Sequence, residues 1–178
     1  MKKIHVHGRS FVPYITAAEI NEQVKRLAGE IKRDLHGKRP LFIAILNGSF
    51  IFAADLFKEL DFDSEICFIK LASYKGTKSS GQVISAIGLD VDVKDRHVVI
   101  IEDIVDTGKT LTSFLPQITN QHPASLRICV LLNKPDAMEH PLQMDYIGFK
   151  IPNRFVLGYG LDFDGLGRNI PELFQIEE

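Results

Sequence analysis

The chain has 178 residues, 45% of them apolar, and a formal net charge of −2 at pH 7. This length and apolar content are enough for one substantial core, so we expect a single domain over residues 1–178. The near-neutral charge gives no basic footprint for a nucleic-acid partner, and no apolar run approaches the roughly 18 residues that a membrane span needs.

Two cysteines and the first residues of the chain predict its compartment. Cys67 and Cys129 each lie in an apolar, strand-like run, which favours buried free thiols over a disulfide or a metal pair. The charged residues after Met1 leave no room for the apolar core of a signal peptide. We therefore expect a soluble cytoplasmic protein without a membrane partner.

Helices and strands alternate along the first half of the chain. Thr16 and Glu19 have the spacing of a capping box, and the apolar residues that follow recur at helical spacing until Gly37, which predicts a helix over about 17–36. Apolar runs then predict a strand over 41–46, a helix over 50–60 and a strand over 66–71. A strand, a helix and a strand in succession are typical of a right-handed parallel unit.

The second half continues this α/β pattern. The polar segment 75–82 predicts a mobile loop, from which residues 83–89 return as the arm of a hairpin. Four β-branched residues at 98–101 predict a strand covered on both faces, as in a central parallel sheet. A helix is expected over about 109–120, with a kink or an early end at Pro116. The last predicted strands span 126–132, 146–149 and 155–159.

An abrupt change from apolar to polar residues after 98–101 marks the expected site, because ligands bind beyond the carboxyl ends of parallel strands. Residues 106–110 read Asp-Thr-Gly-Lys-Thr. Gly108 allows a tight turn, Thr107 and Thr110 supply hydroxyl groups, and backbone amides can converge on an oxyanion at the start of the next helix. The segment therefore predicts a phosphate site.

A nucleotide-triphosphate P-loop is a rival interpretation, since residues 108–110 match the end of that motif. Asp103 stands where the motif requires its first glycine, which disfavours it. Glu102 and Asp103 suit two neighbouring ribose hydroxyls or a shared hydrated Mg²⁺. Two solvated acids at the start of a loop are the remaining alternative.

These residues together resemble the 5-phosphoribosyl-1-pyrophosphate signature of type I phosphoribosyltransferases, in particular the members that act on 6-oxopurines. Three further segments match in order: 46–49 resembles the first pyrophosphate loop, 73–81 the mobile active-site loop, and Lys134 with 154–162 the purine pocket. The resemblance implies a central parallel twisted sheet flanked by helices, with a small hood formed by the N- and C-terminal segments. It also implies a homodimer or homotetramer.

The resemblance implies a purine-salvage enzyme that uses Mg²⁺ and transfers ribose 5-phosphate from 5-phosphoribosyl 1-pyrophosphate to hypoxanthine or guanine. The phosphoribosyl group would be bound by Glu102, Asp103, Asp106, Thr107, Gly108, Lys109 and Thr110. Pyrophosphate would be bound by Asn47, Gly48 and Arg168, and the mobile loop would contribute Ser73 and Tyr74. The purine would contact Lys134, Phe155, Val156 and Asp162. The metal would be held by Glu102, Asp103 and Asp162.

Asp106 is the expected catalytic residue. A carboxylate within hydrogen-bond reach of the purine N7 could accept or share its proton while the bond to N9 forms. An N-cap for the following helix is the alternative role. Lys134 likewise either recognises the 6-oxo group or faces solvent as an anchor at a strand end. Phe155 would stack on the purine, although a strand phenylalanine otherwise belongs to a core.

Two positions depart from the family's pattern. Asn47 stands where a lysine can occur, so only backbone amides are expected to contact pyrophosphate there, and a plain strand-to-helix turn is the alternative. The segment 163–168, which leads to Arg168, contains more glycine than the family usually has.

A different class of function also fits the signature. Some proteins of this fold are RNA- or DNA-binding regulators that retain the phosphoribosyl motif. The slightly acidic balance of this chain disfavours such a role, and salt-dependent nucleic-acid binding would reveal it.

Overall fold

The computed structural model describes residues 3–75 and 82–177, which form two β-sheets and three α-helices. In chain order the elements are β1 (Ile4–Val6), β2 (Arg9–Ile15), α1 (Ala17–Leu35), β3 (Leu41–Leu46), α2 (Phe50–Lys58), β4 (Glu65–Lys75), β5 (Gln82–Ile87), β6 (His97–Val105), α3 (Lys109–Thr119), β7 (Ser125–Asn133), β8 (Tyr146–Lys150), β9 (Val156–Leu157) and β10 (Leu173–Ile176).

The larger sheet has the strand order β5-β4-β3-β6-β7-β8, and all of its strands are parallel except β5. Side chains of β3 alternate between its two faces: Phe42 and Ala44 belong to the core under α1 and α2, whereas Ile43 belongs to the core under α3. Residues 98–101 of β6 are at most 1% exposed, as a central strand requires. The expected parallel sheet flanked by helices is confirmed.

The helix α1 begins where the sequence predicts. The Thr16 hydroxyl accepts a hydrogen bond from the Glu19 amide, and the Glu19 carboxylate accepts one from the Thr16 amide, which completes the capping box. Its apolar face is buried against the sheet, with Val24, Leu27 and Ile31 at most 1% exposed. Burying each such side chain contributes about 1.5–3 kcal/mol to the hydrophobic term.

Several boundaries differ from the sequence prediction. Strand β6 extends to Val105, because residues 102–105 continue the parallel ladder with β7. Strand β4 extends to Lys75 and pairs with β5 as an antiparallel hairpin, which confirms the predicted return arm. Helix α3 continues through Pro116 and ends three residues later, at Thr119. The predicted strand over 155–159 is confined to Val156–Leu157.

A second sheet with the order β1-β2-β10-β9 forms the hood that the resemblance implies. Its strands come from the two terminal segments, and its small core contains Phe11, Leu157 and Phe174. In the part of the chain that the structure describes, none of the helices has the length and apolarity to cross a bilayer. Cys67 and Cys129 are free thiols, as expected. Cys129 is buried, which raises the pKa of its thiol, whereas Cys67 is only half-buried and not buried as the sequence predicts.

Candidate active site

Residues 106–108 form the turn between β6 and α3, and residues 109–110 begin the helix. Gly108, with a φ of +79°, is the N-cap residue of α3 and has no side chain with which to cap the first turn of this helix. A Cβ at position 108 would lie 2.5 Å from the His140 carbonyl oxygen, so glycine is required by close approach as well as by φ. Uncapped amides at a helix start are suited to an anion. The interpretation of Asp106 as the cap of this helix is wrong.

Residues 139–140 hold the turn through backbone hydrogen bonds to Thr107. The Thr107 carbonyl oxygen accepts hydrogen bonds from the amides of Glu139 and His140, at 3.1 and 2.9 Å. Sequence reasoning missed this support, because residues 139–140 follow a single 3-10 turn and have no motif of their own. The support fixes the orientation of the amides that would face a phosphate.

A cavity of about 150 Å³, the phosphate cleft, opens beside this turn. It is lined by Ile45, Glu102, Ile104, Val105, Asp106, Thr107, Gly108, Thr110 and Leu111. Lys109 is exposed at the first position of α3, and its amide lies 3.4 Å from the Thr107 hydroxyl oxygen. The structure thus gathers the predicted phosphoribosyl residues at one strand end.

A second cavity of about 240 Å³, the base cleft, lies next to the first. It is lined by Asp103, Ile104, Asp106, Lys134, Phe155, Val156, Leu161 and Asp162. All four residues predicted for the purine are in this set. The two clefts share Ile104 and Asp106. Ligands in the two cavities would therefore meet at Asp106.

Glu102 and Asp103 lie inside the last part of β6, where successive side chains point to opposite sides. Glu102 accordingly lines the phosphate cleft and Asp103 the base cleft. Part of Glu102 is accessible in its cleft, yet desolvation of its carboxyl, followed by the neighbouring charge of Asp103, raises the pKa of Glu102 well above its usual range. An ionised carboxylate there needs hydroxyl donors or a cation to stabilise it.

Asp106 and Lys134 form an ion pair, with 2.9 Å between Lys134 Nζ and Asp106 Oδ2. The lysine side chain is only 8% exposed, whereas Asp106 is 47% exposed. Lys134 is therefore not the solvent-facing anchor of the alternative interpretation. Its ammonium group points into the base cleft and neutralises the carboxylate at the junction of the two cavities.

The first loop, residues 47–49, connects β3 to α2 at the same edge of the sheet. The Leu46–Asn47 peptide bond is cis. The buried Ser49 hydroxyl donates to the Ile45 carbonyl oxygen at 2.6 Å. A Cβ at Gly48 would lie 1.6 Å from Asp103 Oδ2, so the loop backbone packs directly on that carboxylate. Only glycine allows this approach.

Arg168 reaches the first loop indirectly. It pairs with Asp162 at 2.7 Å and donates to the Gly160 carbonyl oxygen at 2.7 Å. A Cβ at Gly160 would lie 2.1 Å from the Gly48 carbonyl oxygen, so Gly160 bridges Arg168 and the loop. The structure thereby brings Asn47, Gly48 and Arg168 to one region.

Phe155 is 43% exposed at the rim of the base cleft. Its ring packs edge-on against Phe163, with 5.5 Å between centroids, and is tilted against Phe11 at 6.2 Å. Such an exposed and supported ring can stack on a planar ligand. Val156, at 5% exposure, is buried beside it, so its backbone is what can contact a ligand.

The backbone of Ser73 and Tyr74 lies near the end of β4. Their side chains, and residues 76–81, which make up most of the mobile loop predicted over 75–82, lie outside the described residues. Their predicted role remains a prediction.

Within residues 3–75 and 82–177, no three His, Cys, Asp or Glu side chains could hold a metal ion by themselves. Mg²⁺ needs only one or two carboxylates when substrate oxygens complete its shell. Asp103 and Asp162 are the carboxylates that line the base cleft together, and the Asp162 oxygens contact Arg168 Nη2 and the Gly165 amide.

An Asp-Thr-Gly-Lys-Thr segment after a central parallel strand, beside a second cleft at the same edge of the sheet, is the arrangement that the resemblance to phosphoribosyl transferases implies. Residues 16–164 match the family described as the phosphoribosyl transferase domain, and the chain belongs to this family. Two relatives and one solved structure are similar to this chain over most of its length.

The hypoxanthine-guanine phosphoribosyltransferase of Streptococcus pneumoniae is 40% identical over 161 residues, which cover 90% of this chain and 89% of that protein. The hypoxanthine-guanine-xanthine phosphoribosyltransferase of Tritrichomonas foetus is 37% identical over 161 residues, with 90% and 88% covered. The crystal structure of a hypoxanthine-guanine phosphoribosyltransferase from Bacillus anthracis superposes with a TM-score of 0.85 at 36% identity, covering 93% of this chain and 96% of that one.

Proposed function

We propose that the chain is a purine-salvage enzyme, a hypoxanthine-guanine phosphoribosyltransferase. It transfers ribose 5-phosphate from 5-phosphoribosyl 1-pyrophosphate to hypoxanthine or guanine and releases IMP or GMP with pyrophosphate. The observation that carries the proposal is the meeting of the phosphate cleft and the base cleft at Asp106. Relatives at 40% and 37% identity that bear this activity in their names support it.

In this mechanism the 5′-phosphate sits on the amides of residues 106–110, and the ribose lies between the two clefts. Glu102 and Asp103 accept hydrogen bonds from the ribose hydroxyls, which stabilises the ionised form of Glu102. The carbon that carries pyrophosphate then faces N9 of the base, and positioning of this kind removes much of the barrier. Asp106 accepts or shares the N7 proton as the bond to N9 forms.

The base is held by three contacts in the base cleft. The Lys134 ammonium donates to the 6-oxo group, the Phe155 ring stacks on the purine, and the backbone of Val156 contacts its edge. The Lys134 ion pair with Asp106 supports this assignment, because one cation then lies near both the 6-oxo and the N7 positions. The two groups are neighbours on a 6-oxopurine.

The departing pyrophosphate is assigned to the amides of Asn47 and Gly48 and to the Arg168 guanidinium. Mg²⁺, held by Asp103 and Asp162 with Glu102 nearby, would supply charge neutralisation for that leaving group. Ser73 and Tyr74 are proposed to belong to a loop that closes over the site and excludes water.

We expect Lys134→Gln to raise the KM for hypoxanthine far more than the KM for the phosphoribosyl donor, since of the two substrates this ammonium is assigned to the base. Loss of one charge-assisted hydrogen bond corresponds to about 1.5–3 kcal/mol, or roughly 10–100-fold. Steady-state kinetics with each substrate varied in turn measures the split. Lys32→Gln, which removes a surface pair with Asp61, is the matched control. Equal losses for both substrates would refute the division.

A second expectation concerns Asp162→Ala, which removes one proposed metal ligand and the partner of Arg168. The variant should need more Mg²⁺ for half-maximal activity, and excess chelator should abolish wild-type activity. Mg²⁺ binding in the presence of pyrophosphate, followed by calorimetry, gives a readout that is independent of turnover. Full activity in excess chelator would show that the reaction does not need Mg²⁺.

We further propose that residues 1–178 act as one domain and that the enzyme works in the cytoplasm as a homodimer or homotetramer, without nucleic-acid or membrane partners. Free Cys67 and Cys129 support the reducing compartment. Sedimentation at micromolar protein measures the assembly.

Initial rates of pyrophosphate release with hypoxanthine, guanine, xanthine and adenine test the proposed function. Hypoxanthine and guanine should support release. Adenine should be poor, because its 6-amino group donates a hydrogen bond where Lys134 also donates. Release with adenine alone would contradict the proposed base contact.

A further inference from the structure

Tyr159 is a buried residue in the turn 158–160, which follows β9, and it contacts the helix that comes after the loop 47–49. Only 5% of the residue is exposed, and its hydroxyl donates a 2.8 Å hydrogen bond to Asp55 Oδ2. Asp55 lies on α2, which begins at Phe50, directly after the loop residues 47–49. One hydroxyl thus joins the 158–160 turn to the element that anchors this loop.

The backbone on both sides of Tyr159 is tightly fitted. Gly160 packs on the Gly48 carbonyl oxygen, where an added Cβ would approach to 2.1 Å. The amide of Tyr159 donates to the Ile170 carbonyl oxygen at 2.7 Å. The amide of Gly160 donates to the Arg168 carbonyl oxygen at 3.0 Å. The turn therefore cannot shift without moving the backbone that touches Gly48.

We propose that Tyr159 is a positioning residue for pyrophosphate binding, because its bond to Asp55 holds the 158–160 turn against the Gly48 backbone. The inference rests on the proposed function, which assigns the loop 47–49 to pyrophosphate. Tyr159 itself contacts neither substrate. It sets where the loop amides point.

The hydroxyl is a permanent donor at physiological pH. Burial, followed by the hydrogen bond and charge of Asp55, raises the pKa of Tyr159 above its ordinary value. Removing the hydroxyl also leaves Asp55 with one partner fewer, since its other oxygen lies 2.8 Å from Lys58 Nζ at the surface. The turn would then be held by its backbone contacts alone.

Tyr146 offers a matched control. It is 2% exposed, and its hydroxyl donates to Asp34 Oδ2 at 3.0 Å, so it too contacts a helix through an aspartate. Unlike Tyr159, its hydroxyl also accepts a hydrogen bond from Arg127 Nη1 at 2.9 Å. Its contacts belong to the packing of β8 on α1, on elements that do not carry the pyrophosphate loop. A merely structural role for Tyr159 would make the two Tyr→Phe variants alike.

The experiment is calorimetric titration of the full chain with inorganic pyrophosphate in the presence of Mg²⁺, together with the KM for hypoxanthine. Tyr159→Phe should raise the Kd for pyrophosphate by about tenfold, because a small displacement of binding groups weakens several contacts together. The KM for hypoxanthine should stay within about twofold, since the base cleft keeps its own contacts. Tyr146→Phe should leave both constants unchanged while lowering Tm to a similar degree.

Two variants of Asp55 test the same hydrogen bond from the acceptor side. Asp55→Asn retains an oxygen that accepts the Tyr159 hydrogen bond and should bind pyrophosphate nearly as the wild type does, whereas Asp55→Ala should reproduce Tyr159→Phe. Should Tyr159→Phe fail to fold, this Asp55 pair decides the matter. An unchanged pyrophosphate Kd in Tyr159→Phe and Asp55→Ala, or equal weakening in Tyr146→Phe, would overturn the inference.

Failure of the proposed function would look different. A wild type that binds pyrophosphate but forms no nucleotide would refute the proposed function and leave the positioning role measurable. A wild type that binds no pyrophosphate would overturn the positioning role whatever the enzyme assay gave.

Discussion

Asp106→Asn should lower kcat for nucleotide formation by roughly 10²–10⁴-fold, the range expected for the loss of general acid–base help. The substitution keeps the side-chain shape and removes the carboxylate, so the side chain can no longer accept the proton from the purine N7. Lys134 Nζ, 2.9 Å from Asp106 Oδ2, would keep a hydrogen bond to the amide oxygen. The fold and the binding of the phosphoribosyl donor should therefore persist.

Single-turnover rates and donor affinity, measured separately, test this expectation for Asp106. Asp145→Asn is the control, because Asp145 accepts a 2.8 Å hydrogen bond from the Ile128 amide and lines neither cleft. It should retain normal turnover. Near-normal turnover in Asp106→Asn would remove Asp106 from the chemistry, while a loss confined to donor affinity would make it a binding residue only.

Gly48→Ala should reduce kcat/KM for the phosphoribosyl donor by about 10²-fold or more, as a misplacement of about 1 Å at a reacting centre does. The added Cβ would lie 1.6 Å from Asp103 Oδ2 and 2.5 Å from Asp103 Cγ. Either the loop or the carboxylate must move. Both belong to the proposed binding site, so the loss should exceed any loss of stability.

Gly29→Ala is the matched control for Gly48→Ala. Gly29 lies inside α1, and a Cβ there would meet nothing within 4 Å. Alanine in a helix interior is favoured over glycine by about 0.5–1 kcal/mol, so this variant should be fully active and slightly more stable. Activity in Gly48→Ala equal to that in Gly29→Ala would contradict the close packing of the loop on Asp103.

The elements of the large sheet and its helices could be predicted because their signals are local. The capping box at Thr16 fixes the start of α1, and the unbroken apolar run at 98–101 identifies the central strand. The extension of β6 to Val105 could not be predicted, since Glu102 and Asp103 interrupt the apolar pattern. Pairing with β7, which is a long-range interaction, carries the strand through these acids.

In the candidate site, too, some features have a local sequence signal and others do not. The phosphate turn at 106–110 follows from its own residue types, whereas the purine residues came from a resemblance to a family. Contacts between distant segments had no sequence signal. The packing of Gly160 on Gly48, the bond from Tyr159 to Asp55 and the support of Thr107 by 139–140 belong to this group. They depend on how the hood and the loops meet, which no local pattern encodes.

The separation of Glu102 and Asp103 between two clefts is a further result of the fold. Adjacent acids suggest a shared ligand. Glu102 lines the phosphate cleft and Asp103 lines the base cleft, yet their carboxyl groups remain neighbours, since Asp103, after desolvation, contributes to the raised pKa of Glu102. Asp103 also packs against Gly48 of the first loop.

Purine-dependent transfer is tested most directly by following 5-phosphoribosyl 1-pyrophosphate with ³¹P NMR in the presence of Mg²⁺, with and without hypoxanthine. We expect the donor signals to give way to equal amounts of IMP and pyrophosphate, and only when hypoxanthine is present. Pyrophosphate released without hypoxanthine and accompanied by ribose 5-phosphate would show hydrolysis rather than transfer. That result, or an unchanged donor in the complete mixture, would contradict the central claim.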